Sequence, residues 1–223
     1  MSIVHDKSPV TLVGGAAVSG ADLDRALALA PRLVAADGGA DRALDLGRSP
    51  EAVIGDLDSI SPQARSALAG RLYEITEQDS TDFDKALRSI DAPLVLALGV
   101  AGGRFDHEMA AMNVLCRLAD RPCIVIGAES LVFLTPPEIT LELAAGDSIG
   151  LFPMAPLRVA SAGLEWPTDG LALSPTGRIA TSNRARGTVR LRPDAPALLT
   201  ILPVGLLEVA VRSLARPARW PAP

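Results

Sequence analysis

Asp56 and Asp58 stand two residues apart in GDLDS (Gly55 to Ser59), directly after the apolar run Ala52–Ile54. In extended backbone an i, i+2 spacing turns both carboxylates to one side, where they can contact one Mg2+ ion directly or through water. Two more acidic patches follow apolar runs: STDFDKA (Ser80 to Ala86) after Leu72–Thr76, and GGRFDH (Gly102 to His107) after Leu94–Leu98. They add Asp82, Asp84 and Asp106, and so many like charges in one place repel unless a cation neutralises them. The same patches carry groups suited to phosphate. Ser80 or Thr81 can present a hydroxyl and a backbone N–H at a helix start, Lys85 lies one turn onward, and Arg104 offers a guanidinium fork. ADGGA (Ala36 to Ala40) places Asp37 and two glycines after a further apolar run. The chemistry implied is the binding of phosphates together with a divalent cation.

Such loops work together only if a scaffold gathers them. Strand signals at Val10–Val13, Arg32–Ala36, Ala52–Ile54, Leu72–Thr76, Leu94–Leu98 and Cys123–Gly127 alternate with helix signals at Ala21–Ala30, Ala40–Leu46, Ser61–Ala69, Thr81–Ile90 and His107–Leu118. That rhythm predicts a mostly parallel sheet with helices on both faces, whose ligand crevice lies beyond the carboxyl ends of the strands. Ser61-Pro62 reads as an N-cap and first-turn pair, Thr81 as a cap with Asp84 as its capping-box partner, and Asp106 as the cap of the last helix. After Ser130 the pattern changes to short apolar stretches broken by Gly and Pro: Leu131–Leu134, Ile139–Leu143, Ser148–Phe152, Thr188–Leu191, Leu198–Leu202 and Leu207–Val211. This predicts a small antiparallel β-sandwich or barrel, and hence two domains, 1–130 and 131–223. The tail RPARWPAP (Arg216 to Pro223) reads as irregular, with Trp220 packing back onto the body.

The 223 residues are 48% apolar and 21% charged, the balance of a globular chain with a well-buried core. The net charge of −5 divides unevenly, with −7 in residues 1–130 and +2 beyond. An acidic total gives no footprint for a nucleic-acid backbone, and Arg184, Arg186, Arg190 and Arg192 alternate as a solvated strand face would. Cys116 and Cys123 read as buried free thiols of a reducing compartment. The uncharged apolar run Ala92–Gly103 is far short of the ~20 residues a membrane helix needs. A cytoplasmic protein without nucleic-acid or membrane partners is expected.

Each patch also has a plainer reading. GDLDS can be a turn whose Asp side chains bond local N–H groups, STDFDKA a well-capped helix, GGRFDH a structural ion pair, and ADGGA ordinary punctuation between strand and helix. Four such patches at successive strand ends exceed what punctuation requires. Competing signatures are missing: there is no GxxxxGK[ST] loop, no GxGxxG after the first strand, and Ile60 stands where a dehalogenase-type phosphatase needs Thr or Val.

The order DGGA, PEAVIGDLDSI, QDSTDFDKAL and GVAGGRFDHEMAAMNVL, followed by GLEWP (Gly163 to Pro167) and TSN (Thr181 to Asn183), resembles the thiamine pyrophosphokinase family. The resemblance implies an α/β nucleotide domain and a thiamine-binding sandwich, joined in a homodimer whose sites lie between one subunit's catalytic domain and its partner's sandwich. It also implies transfer of pyrophosphate from ATP to the hydroxyethyl group of thiamine, releasing AMP. By matching position Asp56, Asp58 and Asp82 would hold Mg2+, and these three with Arg104 and Asp106 would form the catalytic set. Asp37, Gly38, Ser59, Gln78, Thr81, Lys85, Arg104 and His107 would surround the nucleotide, His107 without a catalytic role. Trp166, Ser182 and Asn183 would face thiamine, an aromatic face suiting its cationic thiazolium; without the resemblance Trp166 reads as a core residue. A pyrophosphokinase for a pterin alcohol would keep the acidic loops but lack GLEW and TSN, and a non-catalytic binding module would lose a metal carboxylate.

Overall fold

The structure, a computed structural model, describes residues 2–215 and 218–222. Its mixed α/β fold divides into two compact units. One comprises the described residues up to Val114 with Val125–Gly127, the other Leu115–Ile124 and the described residues from Ala128 onward.

The first unit begins with the two-residue strand β1 (Val4–His5) and then alternates: β2 (Val10–Val13), α1 (Gly20–Leu29), β3 (Arg32–Ala36), α2 (Gly39–Asp45), β4 (Ala52–Gly55), α3 (Pro62–Ala67) and β5 (Leu72–Glu74). It continues through α4 (Asp82–Arg88), the two-residue β6 (Ile90–Asp91), which pairs with β1, then β7 (Val95–Leu98) and α5 (Phe105–Arg117), to the closing residues of β8 (Cys123–Ile126). The strands run in the order β7-β2-β3-β4-β5, every neighbouring pair parallel. Parallel strands are covered on both faces, so they read as unbroken apolar runs, and every residue of β2, β4 and β7 is buried. One direction for all strands puts their carboxyl ends, and the acidic patches that follow them, along one edge.

Local sequence sets where the helices start. The Ser61 hydroxyl accepts the Ala64 N–H at 3.1 Å with Pro62 in the first turn, and Thr81 caps α4 through the Asp84 N–H at 3.3 Å. Asp106 does not cap α5 as the sequence suggested: the helix begins at Phe105, and the Glu108 N–H already bonds the Arg104 carbonyl. Gly39 opens α2 so close to β2 that a Cβ on it would lie 2.0 Å from the Val13 carbonyl oxygen.

In the second unit the strands from Ser130 onward pair with one another antiparallel among the described residues. It contains β9 (Ser130–Leu134), β10 (Ile139–Leu141), β11 (Ala145–Pro153), β12 (Leu157–Leu164), β13 (Ala172–Leu173), β14 (Ala180–Pro193) and β15 (Leu198–Pro203). The long β14 pairs with β11 through its first half and with β10 and β12 chiefly through its second. Arg184, Arg186, Arg190 and Arg192 on β14 are exposed and alternate with buried Ala185, Val189 and Leu191. The expected strand over Leu207–Val211 is instead the helix α6 (Leu207–Leu214). Its buried residues Leu207, Ala210 and Leu214 follow a spacing of three and four, a helical stripe that a short window conceals. Trp220 does return to the body, its indole N–H donating to the Thr135 carbonyl at 2.9 Å, while Arg216, Pro217 and Pro223 of the tail lie outside the described residues. Cys116 is half-buried and Cys123 buried, both free thiols, and burial pushes Cys116 up to about 11. No described helix is long and apolar enough to cross a membrane.

Gly39→Ala forces α2 away from Val13, so it is expected to destabilise the protein by about 2 kcal/mol, roughly 4–8 °C in Tm. Thermal unfolding followed by circular dichroism checks this, and a melting point unchanged from wild type contradicts the close approach.

Candidate active site

Where β3 ends, Asp37 takes up a left-handed backbone, φ 42°, and its N–H donates to the Ile54 carbonyl of β4. The neighbouring strand end must come close: a Cβ on Gly55 would meet the Asp37 Cβ at 2.9 Å and an Asp82 oxygen at 3.0 Å. The chain between Asp56 and Asp58 is not extended as expected. Leu57 has φ 63° and buries its side chain with Ala35, Ala40, Val53 and Ile60, so core packing twists the segment. Arg65 holds the twist by donating to the Leu57 carbonyl at 2.6 Å. The turn brings oxygens of Asp37, Asp56 and Asp58 within 4.8 Å of one another.

Lys85 projects from the buried face of α4 with its side chain 1% exposed. Its ammonium donates to Asp56 Oδ2 at 2.9 Å and Asp82 Oδ1 at 3.1 Å. Burial works to lower its pKa, but the bonds to the two carboxylates outweigh this and raise it. Lys85 in turn holds Asp56 below the usual carboxylate range, helped by the Asp58 N–H and by Gln78, whose side chain donates to Asp56 Oδ2 at 3.3 Å. The Asp58 N–H bond to Asp56 is the local turn contact of the plainer reading, and it coexists with the cluster. Asp82 Oδ1 also accepts the Asp56 N–H at 3.3 Å, so that oxygen is heavily engaged.

Asp37 has no such relief. Burial, then the charge of Asp82, push its pKa up, and hydrogen bonds from Ser59 and Gly38 offset only part of this. Its Oδ1 is buried without a hydrogen-bond partner. Three oxygen donors around an orphaned carboxylate oxygen are a ligand set for a hard divalent cation such as Mg2+. Asp37 thus stands with Asp56 and Asp58, two of the three carboxylates that the sequence reading gave to Mg2+, while the third, Asp82, bonds Lys85 beside them. Pairing of Ala36 with Ile54 across β3 and β4 makes Asp37 and Asp56 neighbours, a contact no linear spacing announces.

A second network orders the loop that carries Gln78 and Thr81. Glu77 is held at about 2 by Ser80, whose hydroxyl donates to it, and by Arg88 at 2.6 Å. Arg104 and Asp106 bond each other at 2.5 and 3.1 Å on the surface, with Asp106 also accepting the His107 N–H. Both are largely exposed, and their bonds join them to one another rather than to the carboxylate cluster.

In the second unit Trp166 is 55% exposed, which sets aside the core reading of this residue. Asn183 is buried instead: its Nδ2 donates to the Trp166 carbonyl at 2.7 Å, and its Oδ1 accepts the N–H groups of Trp166 and Arg184. Ser182, beside it, is exposed with φ 60°.

A parallel α/β unit with an acidic, lysine-bridged centre at its strand ends has the groups that phosphoryl transfer needs, and the relatives of the chain are transferases of the kinase type. The profile described as "Thiamin pyrophosphokinase, catalytic domain" matches residues 23–126. The chain is 32% identical to thiamine pyrophosphokinase 1 of Oryza sativa subsp. japonica, over 75% of this chain and 77% of the relative, and 31% identical to thiamine pyrophosphokinase 3 of the same plant over 77% and 81%. Its fold matches the solved thiamin pyrophosphokinase of Candida albicans with a TM-score of 0.73 at 19% identity, covering 90% of this chain and 92% of that one. The chain belongs to the thiamine pyrophosphokinase family.

A buried carboxylate whose pKa is raised costs stability above its unfolded pKa, and the cost fades as pH falls through the raised value. Asp37→Asn, which also tolerates the left-handed backbone, is therefore expected to raise the Tm of cation-free protein at pH 7. Mg2+ is expected to raise the Tm of the wild type, and the same variant should lose that rise. Differential scanning fluorimetry with EDTA or Mg2+ reads both effects, and retention of the full Mg2+ response removes Asp37 from the cation site.

Proposed function

We propose that this protein transfers the pyrophosphoryl group of ATP to the hydroxyethyl oxygen of thiamine, giving thiamine diphosphate and AMP, in a Mg2+-dependent reaction. The observation that carries the reading is the convergence of Asp37, Asp56 and Asp58 beside Lys85 in a chain of this family. Asp37, Asp56 and Asp58 would hold Mg2+, with Asp82 at their side, and the ion would supply neutralising charge for the triphosphate. Lys85 stands ready to take up negative charge that develops during transfer, and Arg104 can do so once its fork leaves Asp106. Gly38, Ser59, Gln78, Thr81 and His107 line the edge assigned to the nucleotide, where backbone N–H groups and hydroxyls suit phosphate oxygens. Attack at the β-phosphorus by the thiamine alcohol requires loss of its proton, for which Asp82 and Asp106 are the candidate acceptors. Arg104 lowers the pKa of Asp106, which makes it the weaker base while that pair is intact.

The acceptor half of the site falls to the second unit. Trp166 offers an exposed aromatic face to a cationic or flat heterocycle, with Ser182 nearby and Asn183 behind. Residues 1–130 then serve as the catalytic domain and 131–223 as a thiamine-binding β-sandwich, in line with the antiparallel pairing among the strands from Ser130 onward. A homodimer in the cytoplasm, each site completed by the partner subunit, is the arrangement implied by the family resemblance.

Incubation of purified protein with ATP, Mg2+ and thiamine, followed by chromatography, should yield thiamine diphosphate and AMP in equal amounts. ADP as the sole nucleotide product overturns the assignment. Asp58→Asn should reduce kcat by about 100-fold or more with the fold intact by circular dichroism, and wild-type turnover excludes Asp58 from the centre.

A further inference from the structure

Trp166 is 55% exposed, yet the loop that carries it is bonded on both sides. Its segment, from Leu164 to Leu171, joins β12 to β13 and is tied down at each step. Gly163, at φ 80° and with no room for a Cβ beside the Thr188 carbonyl, makes a bulge that turns the chain out of β12. The Glu165 N–H then bonds the Arg184 carbonyl at 2.8 Å, and Asn183 grips both the N–H and the carbonyl of Trp166.

Two residues further on a second clasp closes. The Ser161 hydroxyl donates to Asp169 Oδ2 at 2.9 Å and accepts the Thr168 N–H at 2.9 Å, while the Ser161 N–H donates to the same carboxylate. Thr168, 1% exposed, turns its own hydroxyl back to the Val159 carbonyl at 3.0 Å. The Leu171 N–H closes the turn onto Thr168, with Gly170 supplying φ 75°. Loop backbone this heavily bonded has lost its conformational freedom before any ligand arrives, yet the indole it carries remains in solvent. A rigid aromatic plane facing water is a preorganised ligand platform, since binding to it spares the cost of ordering the loop.

We propose that Ser161, Thr168 and Asp169 form a positioning clasp that fixes the Trp166 indole for the heterocyclic substrate. None of the three touches the ligand; each acts through the main chain on either side of Trp166. The proposal rests on the reading of Trp166 as the thiamine platform. Asn183 belongs to the same device from the other side, which accounts for its burial.

Ser161→Ala removes the hydroxyl that joins Thr168 to Asp169 and leaves the β12 backbone unaltered. In a Trp220→Phe background Trp166 is the remaining tryptophan, so fluorescence anisotropy reports its mobility directly. Ser161→Ala is expected to lower that anisotropy and raise the KM for thiamine about five- to tenfold, with kcat within about twofold, as loss of one or two hydrogen bonds implies. Ser161→Thr, which restores a hydroxyl on a strand residue, should return both to the parent values. Unchanged anisotropy and KM in Ser161→Ala overturn the clasp. Lowered anisotropy with unchanged KM overturns its role in substrate positioning, provided Trp166→Ala does raise KM. If Trp166→Ala leaves KM unchanged, the thiamine platform itself is wrong, and the proposal falls with it.

Discussion

The bonds from Lys85 to Asp56 and Asp82 are the contacts on which the acidic centre depends. Four carboxylates converge where β3, β4 and α4 meet, and their mutual repulsion in a partly buried site opposes folding. One ammonium, held almost wholly out of water on a helix capped by Thr81, ties the end of β4 to the start of α4 and stabilises both charges. Removing either partner of such a pair costs more than the pair itself contributes, because the remaining charge stays buried. The lysine bonds neither Asp37 nor Asp58, and Asp37 keeps one buried oxygen without a hydrogen-bond partner. The centre therefore has a resident cation built into the chain, with the carboxylates of Asp37, Asp56 and Asp58 gathered beside it.

Much of the first unit was legible in the sequence because buried parallel strands are unbroken apolar runs punctuated by Gly, Asp and Ser. Ser61-Pro62 and Thr81 marked helix starts through local capping chemistry, which needs no knowledge of the rest of the fold. The membership of the cation cluster was less legible. Asp37 and Asp56 are distant in the chain and become neighbours only through the register of β3 against β4, so no spacing in the sequence joins Asp37 to Asp56 and Asp58. The left-handed turn at Leu57 was hidden for a related reason: a leucine adopts that backbone when the core claims its side chain, and nothing local signals it.

The second unit was harder to read. β12 passes through Ala160, Ser161, Ala162 and Gly163, small residues with little strand character of their own, and becomes a strand because β14 pairs with it. Helix α6 was mistaken for a strand because a five-residue apolar window fits either period. Asn183 shows a different limit. Its residue type suggested hydrogen bonds to a ligand, whereas its amide is committed to the backbone of Trp166.

The position of β14 late in the chain has a consequence for synthesis. β10 has its pairing with β14, and β12 finds most of its own there, so these strands emerge from the ribosome well before their partner. β11 waits as well, for β14 and then β15. Unpaired strand edges are templates for association with other chains, and pairings distant in sequence close slowly. The arginines along β14 place charge beside those edges as soon as pairing begins. The nascent second unit thus keeps open edges until β14 and then β15 are made, and β14 brings charges that discourage a foreign strand from taking its place.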